Sequence, residues 1–184
     1  MNDRDALAAL LRERSVAFGT FRLASGRESR YYIDARKTTM SAQGQVLVGR
    51  LGLQAIREQG WKPAAVGGLT LGADPVAYAI ARASADDPPL IQAFTVRKAA
   101  KEHGTGGLLE GNLNPGDAAV VVEDVLTTGN STLNAIRAVR EHGGEVVGVL
   151  AVVDRMEAGA NHIENEAGVA VVALTTTIFL GVTT

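Results

Sequence analysis

The densest chemistry in this 184-residue chain lies in Val120-Val121-Val122-Glu123-Asp124-Val125-Leu126-Thr127-Thr128-Gly129-Asn130-Ser131-Thr132. A run suited to a buried strand enters two adjacent carboxylates, then a turn of hydroxyls and glycine, then a helix over about residues 130–142. In an open α/β sheet, ligands bind at the carboxyl ends of strands. The free N–H groups of such a turn, from about Thr128 to Thr132, sit at a helix N-terminus and form an anion cradle suited to a phosphate. Gly129 lets the backbone close in, and the Thr and Ser hydroxyls add donors. Carboxylates beside a phosphate would repel it, so Glu123 and Asp124 need another partner. Vicinal sugar hydroxyls, which donate to a carboxylate, fit that role, and the expected ligand is a ribose phosphate. Taken alone, the acid pair reads more simply as a solvated loop start. No Gly-Lys-Ser/Thr occurs here, so this is not a Walker loop, and Gly104-Thr105-Gly106-Gly107 completes no dinucleotide fingerprint.

A second segment runs from Arg97 through Lys98, Lys101 and His103 into a glycine cluster that ends at Gly111. Three cations and a histidine within seven residues would meet a polyanion, and the glycines permit movement. Lys101 and His103 point the same way in an extended strand. A solvated charged connector is the plainer reading. Placed after a strand and beside an anion cradle, the segment reads as a closing lid over residues 97–111. Arg155 follows an apolar run at a strand end. Tyr31 and Tyr32 read as hairpin packing residues, and Asp34 with Arg36 as a surface pair.

The elements that must position these residues follow from periodicity. Leu7, Leu10 and Leu11 mark a helix over 3–15, with Asn2 or Asp3 as its cap. Residues 21–34 read as a hairpin around Ser25-Gly26. Ser41 caps a helix reaching about Gln59, and Gly60 stops it. Strands are expected at 64–69, 90–96, 118–122, 146–153 and 169–175. Helices are expected at 73–83 and 130–142, residues 98–116 are expected to be irregular, and residues 155–166 irregular or weakly helical. Strands alternating with helices predict an α/β fold, a central parallel sheet with helices on both faces. The N-terminal helix and hairpin fall outside that rhythm and would cap the open end of the sheet. One domain is expected over 1–184. About 41–176 would be its core, and about 1–40 with the C-terminal segment would be a small hood.

Composition narrows the class. Hydrophobic residues are 46% and charged residues 21%, which are globular values, and the net charge of −2 offers no basic field for nucleic acid. The absence of cysteine removes disulfides, thiolate nucleophiles and cysteine zinc sites, and it fits a reducing cytoplasm. Met1-Asn2-Asp3-Arg4-Asp5 mixes charges where a signal peptide needs positive charge and then an apolar stretch. The longest apolar runs are eight residues, too short to cross a bilayer, so no membrane partner is expected.

The 120–132 string resembles the phosphoribosyl pyrophosphate (PRPP) signature of type I phosphoribosyltransferases at every position. In that family the acidic pair holds the ribose hydroxyls and the loop holds the 5′-phosphate. The run Arg97-Lys98-x-x-Lys101-x-His103-Gly104-x-Gly106-Gly107 resembles the mobile catalytic loop of orotate phosphoribosyltransferases. Phe21-x-Leu23-x-Ser25-Gly26-x-x-Ser29-x-Tyr31-Tyr32-x-Asp34 resembles their N-terminal signature, and Asp154-Arg155 their orotate-carboxylate site. The four motifs occur in the family's order, from about residue 20 to 155. The chain departs in having Ala24 where many members carry Lys, and Leu71-Gly72 where some carry Tyr-Lys. No residue is carried over there, which leaves the backbone of 68–74 to contribute to the pyrophosphate site.

The resemblance implies a glycosyltransferase of pyrimidine (UMP) biosynthesis that converts orotate and PRPP into orotidine 5′-phosphate and pyrophosphate. It implies Arg97, Lys98, Lys101 and His103 on the pyrophosphate, with Lys101, His103 and Asp124 catalytic and Lys101 having the largest effect. Glu123 and Asp124 would hold the ribose, and Val125, Leu126, Thr127, Thr128, Gly129, Asn130 and Ser131 the 5′-phosphate. Thr127 and Arg155 would touch orotate. Mg²⁺ would be held mainly through PRPP oxygens, with no protein ligand set. A homodimer sharing the catalytic loop across its interface is also implied. Two alternatives stand beside this reading: a transferase for another base, and a PRPP-sensing regulator. The latter should show a basic face or an added DNA-binding domain, and the charge of −2 and the single-domain length offer neither.

Overall fold

A computed structural model describes residues 2–22, 28–99 and 107–182. Helix α1 (Asp3–Arg14) opens on Asn2, whose side chain accepts from the Asp5 N–H. Strands β1 (Val16–Arg22) and β2 (Glu28–Ile33) pair antiparallel as a separate ribbon, with Phe18 opposite Tyr31. The short α2 (Arg36–Thr39) leads to α3 (Ala42–Glu58), where the Ser41 hydroxyl accepts from the Gly44 N–H. Then follow β3 (Ala65–Leu69), α4 (Ala73–Asp86), β4 (Gln92–Val96), β5 (Leu109–Gly111) and β6 (Ala118–Leu126). The chain continues through α5 (Asn130–Glu141), β7 (Glu145–Asp154), α6 (Gly159–Ala167) and β8 (Val171–Thr176).

Six strands form one sheet in the order β5-β4-β3-β6-β7-β8. Alternate strand residues serve opposite faces, so strands covered on both sides read as unbroken apolar runs. Val66, Val120, Val122, Leu150 and Val152 face a core shared with α1, α3 and α4, including Leu7, Leu11, Ile56 and Ile80. Ala65, Ala119, Val121, Val149 and Ala151 face Ile136 and Val139 of α5 and Ile163 of α6. Tyr31 and Ile33 of the ribbon, and Leu180 and Val182 near the C-terminus, join the first core. The N-terminal region is therefore anchored to the sheet's helical face. Trp61, just after α3, lies against Gly148 of β7. Among the described residues no helix is long and apolar enough to cross a membrane.

The structure corrects several expectations. The sheet is not wholly parallel, because β5 pairs antiparallel with β4. Three residues supply no periodicity, so this strand exists only because β4 offers an open edge. Residues 155–166 take the helical of the two readings: α6 spans most of that stretch, with Ile163 fully buried as its anchor. Strand β6 does not stop at Val122 but runs through the acidic pair, since its pairing with β7 continues to Leu126–Asp154. The ribbon begins at Val16 rather than Phe21, and α2 was not foreseen.

Candidate active site

The chain turns one way from β3 through α4 to β4, and the other way from β6 to β7 and β8. The carboxyl ends of β3 and β6 are neighbours at that reversal, where open α/β sheets place their ligands. Three connections meet there: residues 70–72 after β3, 127–129 after β6, and 155–158 after β7.

The 127–129 turn ends in Gly129, which caps α5 with φ +83°. A Cβ there would lie 3.0 Å from both the Gly159 carbonyl oxygen and Ile163 Cγ1, so only glycine lets the turn close against α6. No side chain caps α5, and the N–H groups of its first turn have no intrahelical partner. Thr128 and Asn130 are exposed and Thr127 is half-buried. The turn therefore leaves a run of open backbone N–H groups at the start of α5.

The two acids differ in environment. Glu123 is 6% exposed, and its Oε2 accepts from Ser131 Oγ at 2.5 Å and Thr132 Oγ1 at 3.1 Å. Burial pushes its carboxyl up to about 7, and the neighbouring Asp124 charge adds to the rise. Asp124 is half-buried, and its Oδ1 accepts from the Val125 N–H at 2.9 Å. Burial raises it too, while the Arg36 charge opposes the rise. Glu123 thus faces inward and holds the first turn of α5. Its hydrogen bond engages the Ser131 hydroxyl, which the sequence assigned to the phosphate.

The 70–72 turn, left without assigned residues by the sequence, closes over Asp124. A Cβ on Gly72 would lie 2.7 Å from Asp124 Cγ and 3.0 Å from Oδ2. Asp74 anchors the turn from below, accepting from Thr70 Oγ1 at 2.6 Å and Thr95 Oγ1 at 2.8 Å. The Thr70 N–H donates to the Val96 carbonyl. Arg97 and Lys98 follow directly, and Arg97 Nη1 lies 3.5 Å from Glu110 of β5. Lys101 and His103 lie outside the described residues, as does the Ser25-Gly26 turn.

Arg155 is 7% exposed at the end of β7. Its N–H donates to the Leu126 carbonyl, which ties it to the end of β6. The guanidinium stacks 4.9 Å over the Tyr31 ring, and Nη2 pairs with Glu157 at 2.9 Å. Its buried Nε has no hydrogen-bond partner among the described residues, which is costly unless a ligand supplies one. Tyr31 is buried as the packing residue expected, while Tyr32 is 43% exposed. Arg36, read from sequence as part of a surface pair, is clamped by Asp34 through Nε at 2.8 Å and Nη2 at 3.2 Å, within electrostatic reach of Asp124. No local signal distinguishes such an arginine, because its neighbour is 88 positions away in sequence.

Residues 42–174 match the profile of the phosphoribosyl transferase domain. The chain is 48% identical over 169 residues to orotate phosphoribosyltransferase of Aquifex aeolicus, covering 90% of this chain and 91% of that protein. The crystal structure of orotate phosphoribosyltransferase from Mycobacterium tuberculosis H37Rv with Fe(III) dicitrate superposes with a TM-score of 0.87. It is 47% identical and covers 98% of this chain and 99% of that one. The same enzyme solved with 5-phospho-alpha-D-ribosyl 1-diphosphate gives 0.83 at 44% identity, covering 98% and 99%.

Proposed function

We propose a reaction from one premise: this chain belongs to the orotate phosphoribosyltransferases, within the phosphoribosyl transferase domain family. It transfers the 5-phosphoribosyl group of PRPP to orotate. The ribose C1–O bond to pyrophosphate breaks, a C1–N1 bond to orotate forms as N1 gives up its proton, and orotidine 5′-phosphate and pyrophosphate leave. The observation that carries this reading is the meeting of Asp124, the open N-terminus of α5 and the unpartnered Arg155 Nε at one strand reversal.

The residues divide the work by charge. The backbone of 127–131 and the positive end of α5 receive the 5′-phosphate. Asp124 takes the ribose hydroxyls and lies near the positive charge that develops on the ring as the leaving group departs. Glu123 fixes the first turn of α5 through Ser131 and Thr132 and stands behind Asp124. Arg155 uses its free Nε toward the orotate carboxylate while Glu157 and Tyr31 hold its plane. Thr127, at the edge of the same turn, borders the base. Arg97 and Lys98 enter from the end of β4 beside the 70–72 turn, and Lys101 and His103 complete that cationic segment over the pyrophosphate. Closure would exclude the water that hydrolyses PRPP.

Asp124, half-buried at the site, is a hard oxygen donor of the kind that completes a Mg²⁺ shell supplied mainly by substrate phosphates. Bound Mg²⁺ would neutralise charge on the departing pyrophosphate. A homodimer in which each lid reaches the neighbour's site is part of the same proposal. It rests on the resemblance of residues 97–111 to the catalytic loop of relatives.

The test is orotate consumption followed by ultraviolet absorbance, with PRPP and with or without Mg²⁺, beside adenine, hypoxanthine and uracil. Loss of orotate that requires both PRPP and Mg²⁺ supports the assignment. Turnover of another base in preference to orotate refutes it.

A further inference from the structure

Beside the ribose site, a cavity of about 500 Å³ is lined by Arg14, Asp34, Arg36, Lys37, Met40, Ser41 and Leu71. Three cations face one carboxylate there, so the cavity carries a net positive charge. Leu71 belongs to the 70–72 turn, and the next residue, Gly72, presses directly against the Asp124 carboxylate. The cationic wall and the ribose-binding acid therefore flank the same turn. Within the turn itself, Thr70, Leu71 and Gly72 carry no positive charge, and Asp74 behind it is acidic.

Arg36 is the organised member of the cluster. Asp34, two residues earlier, engages Nε and Nη2 in a fork, which fixes the guanidinium plane and leaves Nη1 for a ligand. The side chain keeps 42% of its surface exposed, so it is accessible. It does not pair with Asp124 despite lying within its field. Asp124 stays available to hydroxyls, and Arg36 stays available to an anion. Arg14 and Lys37 lack such a clamp and add only diffuse charge.

We propose that Arg36, oriented by Asp34, is a binding residue for the pyrophosphate group of PRPP, reaching it across the 70–72 turn from the same subunit. This rests on the reaction proposed above and adds a residue to its leaving-group side. Charge from Arg36 favours pyrophosphate both as part of the substrate and as the departing product, so the residue acts on PRPP and pyrophosphate together and not on orotate.

The experiment compares Arg36→Met, Arg36→Lys and Asp34→Asn with the parent enzyme, using steady-state kinetics in both substrates and inorganic pyrophosphate as inhibitor. Loss of a charge-assisted hydrogen bond predicts about a tenfold rise for Arg36→Met in the KM for PRPP and in the pyrophosphate inhibition constant. The KM for orotate should stay within about twofold, and melting should be unchanged, as for a half-exposed pair. Arg36→Lys should restore part of both losses, and Asp34→Asn should fall between parent and Arg36→Met. An active Arg36→Met enzyme with unchanged PRPP and pyrophosphate constants overturns the role of Arg36. So does an equal rise in the KM for orotate, which would mean general damage to the N-terminal region. A parent enzyme that leaves orotate untouched instead overturns the reaction itself.

Discussion

Gly72→Ala should impair catalysis with little effect on folding. Gly72 has φ −64° and ψ −42°, a helical conformation that alanine adopts without strain. The new methyl group would meet Asp124, with Cγ at 2.7 Å and Oδ2 at 3.0 Å, where ordinary contact begins near 3.4 Å. Oδ1 lies nearer still, so one partner must retreat by about 1 Å. The turn is held by Asp74 through Thr70 and by the Thr70 N–H to Val96, so the short Asp124 side chain yields first. A misplacement approaching 1 Å at a positioning group costs up to about 100-fold, so kcat/KM should fall by about 10- to 100-fold. Reduced unfolded-state entropy offsets some of the crowding. The net stability change should be below about 1 kcal/mol, or about 2–4 °C in Tm for a chain of this size. Absorbance kinetics with orotate and PRPP, paired with thermal melting, read both quantities. Gly60→Ala is the control: Gly60 has φ +70° and open space around it, so that variant should lose about 1 kcal/mol of stability and no activity. A Gly72→Ala enzyme within about threefold of the parent, with an unchanged melt, would refute the claim that this contact positions Asp124.

Other outcomes follow from the same geometry. Glu123 holds its proton up to about pH 7 when folded but releases it near 4.5 when unfolded, so stability falls as pH rises through that window. Glu123→Gln should flatten the decline, read as urea midpoints at about pH 5 and about pH 8, and an unchanged slope would refute the assignment. Arg155→Lys keeps the charge but loses the fork, and should raise the KM for orotate by about tenfold while leaving that for PRPP within about twofold. Equal effects on both substrates would place Arg155 outside the base site. Mixing Lys101→Ala with Asp124→Asn subunits should restore about a quarter of parent activity if lids cross the interface, because half of random dimers are mixed and each has one intact site. No recovery after verified subunit exchange would confine each lid to its own subunit.

The chemistry of residues 120–132 was legible in the sequence because its signals are local. A strand, an acidic pair, a turn glycine and a helix start all act through backbone hydrogen bonds within a few residues. The caps Asn2 and Ser41 and the stretches alternating between strand and helix were legible for the same reason. Strand β5 was not, since three residues carry no period, and α6 was legible only as a weak helix, since Ile163 is its one large buried residue; each depends on a partner already in place. The direction of Glu123 was also undecided, because either face of a strand end accepts a carboxylate until α5 brings Ser131 and Thr132 to one side. Local signals along the chain suffice for the strand, turn and helix start of residues 120–132 and for most of the sheet that carries them. Only the tertiary structure brought Arg36, Gly72 and Asp124 to one site. Their segments are far apart along the chain, and the packing of α1, α3 and α4 against one face of the sheet sets how they meet.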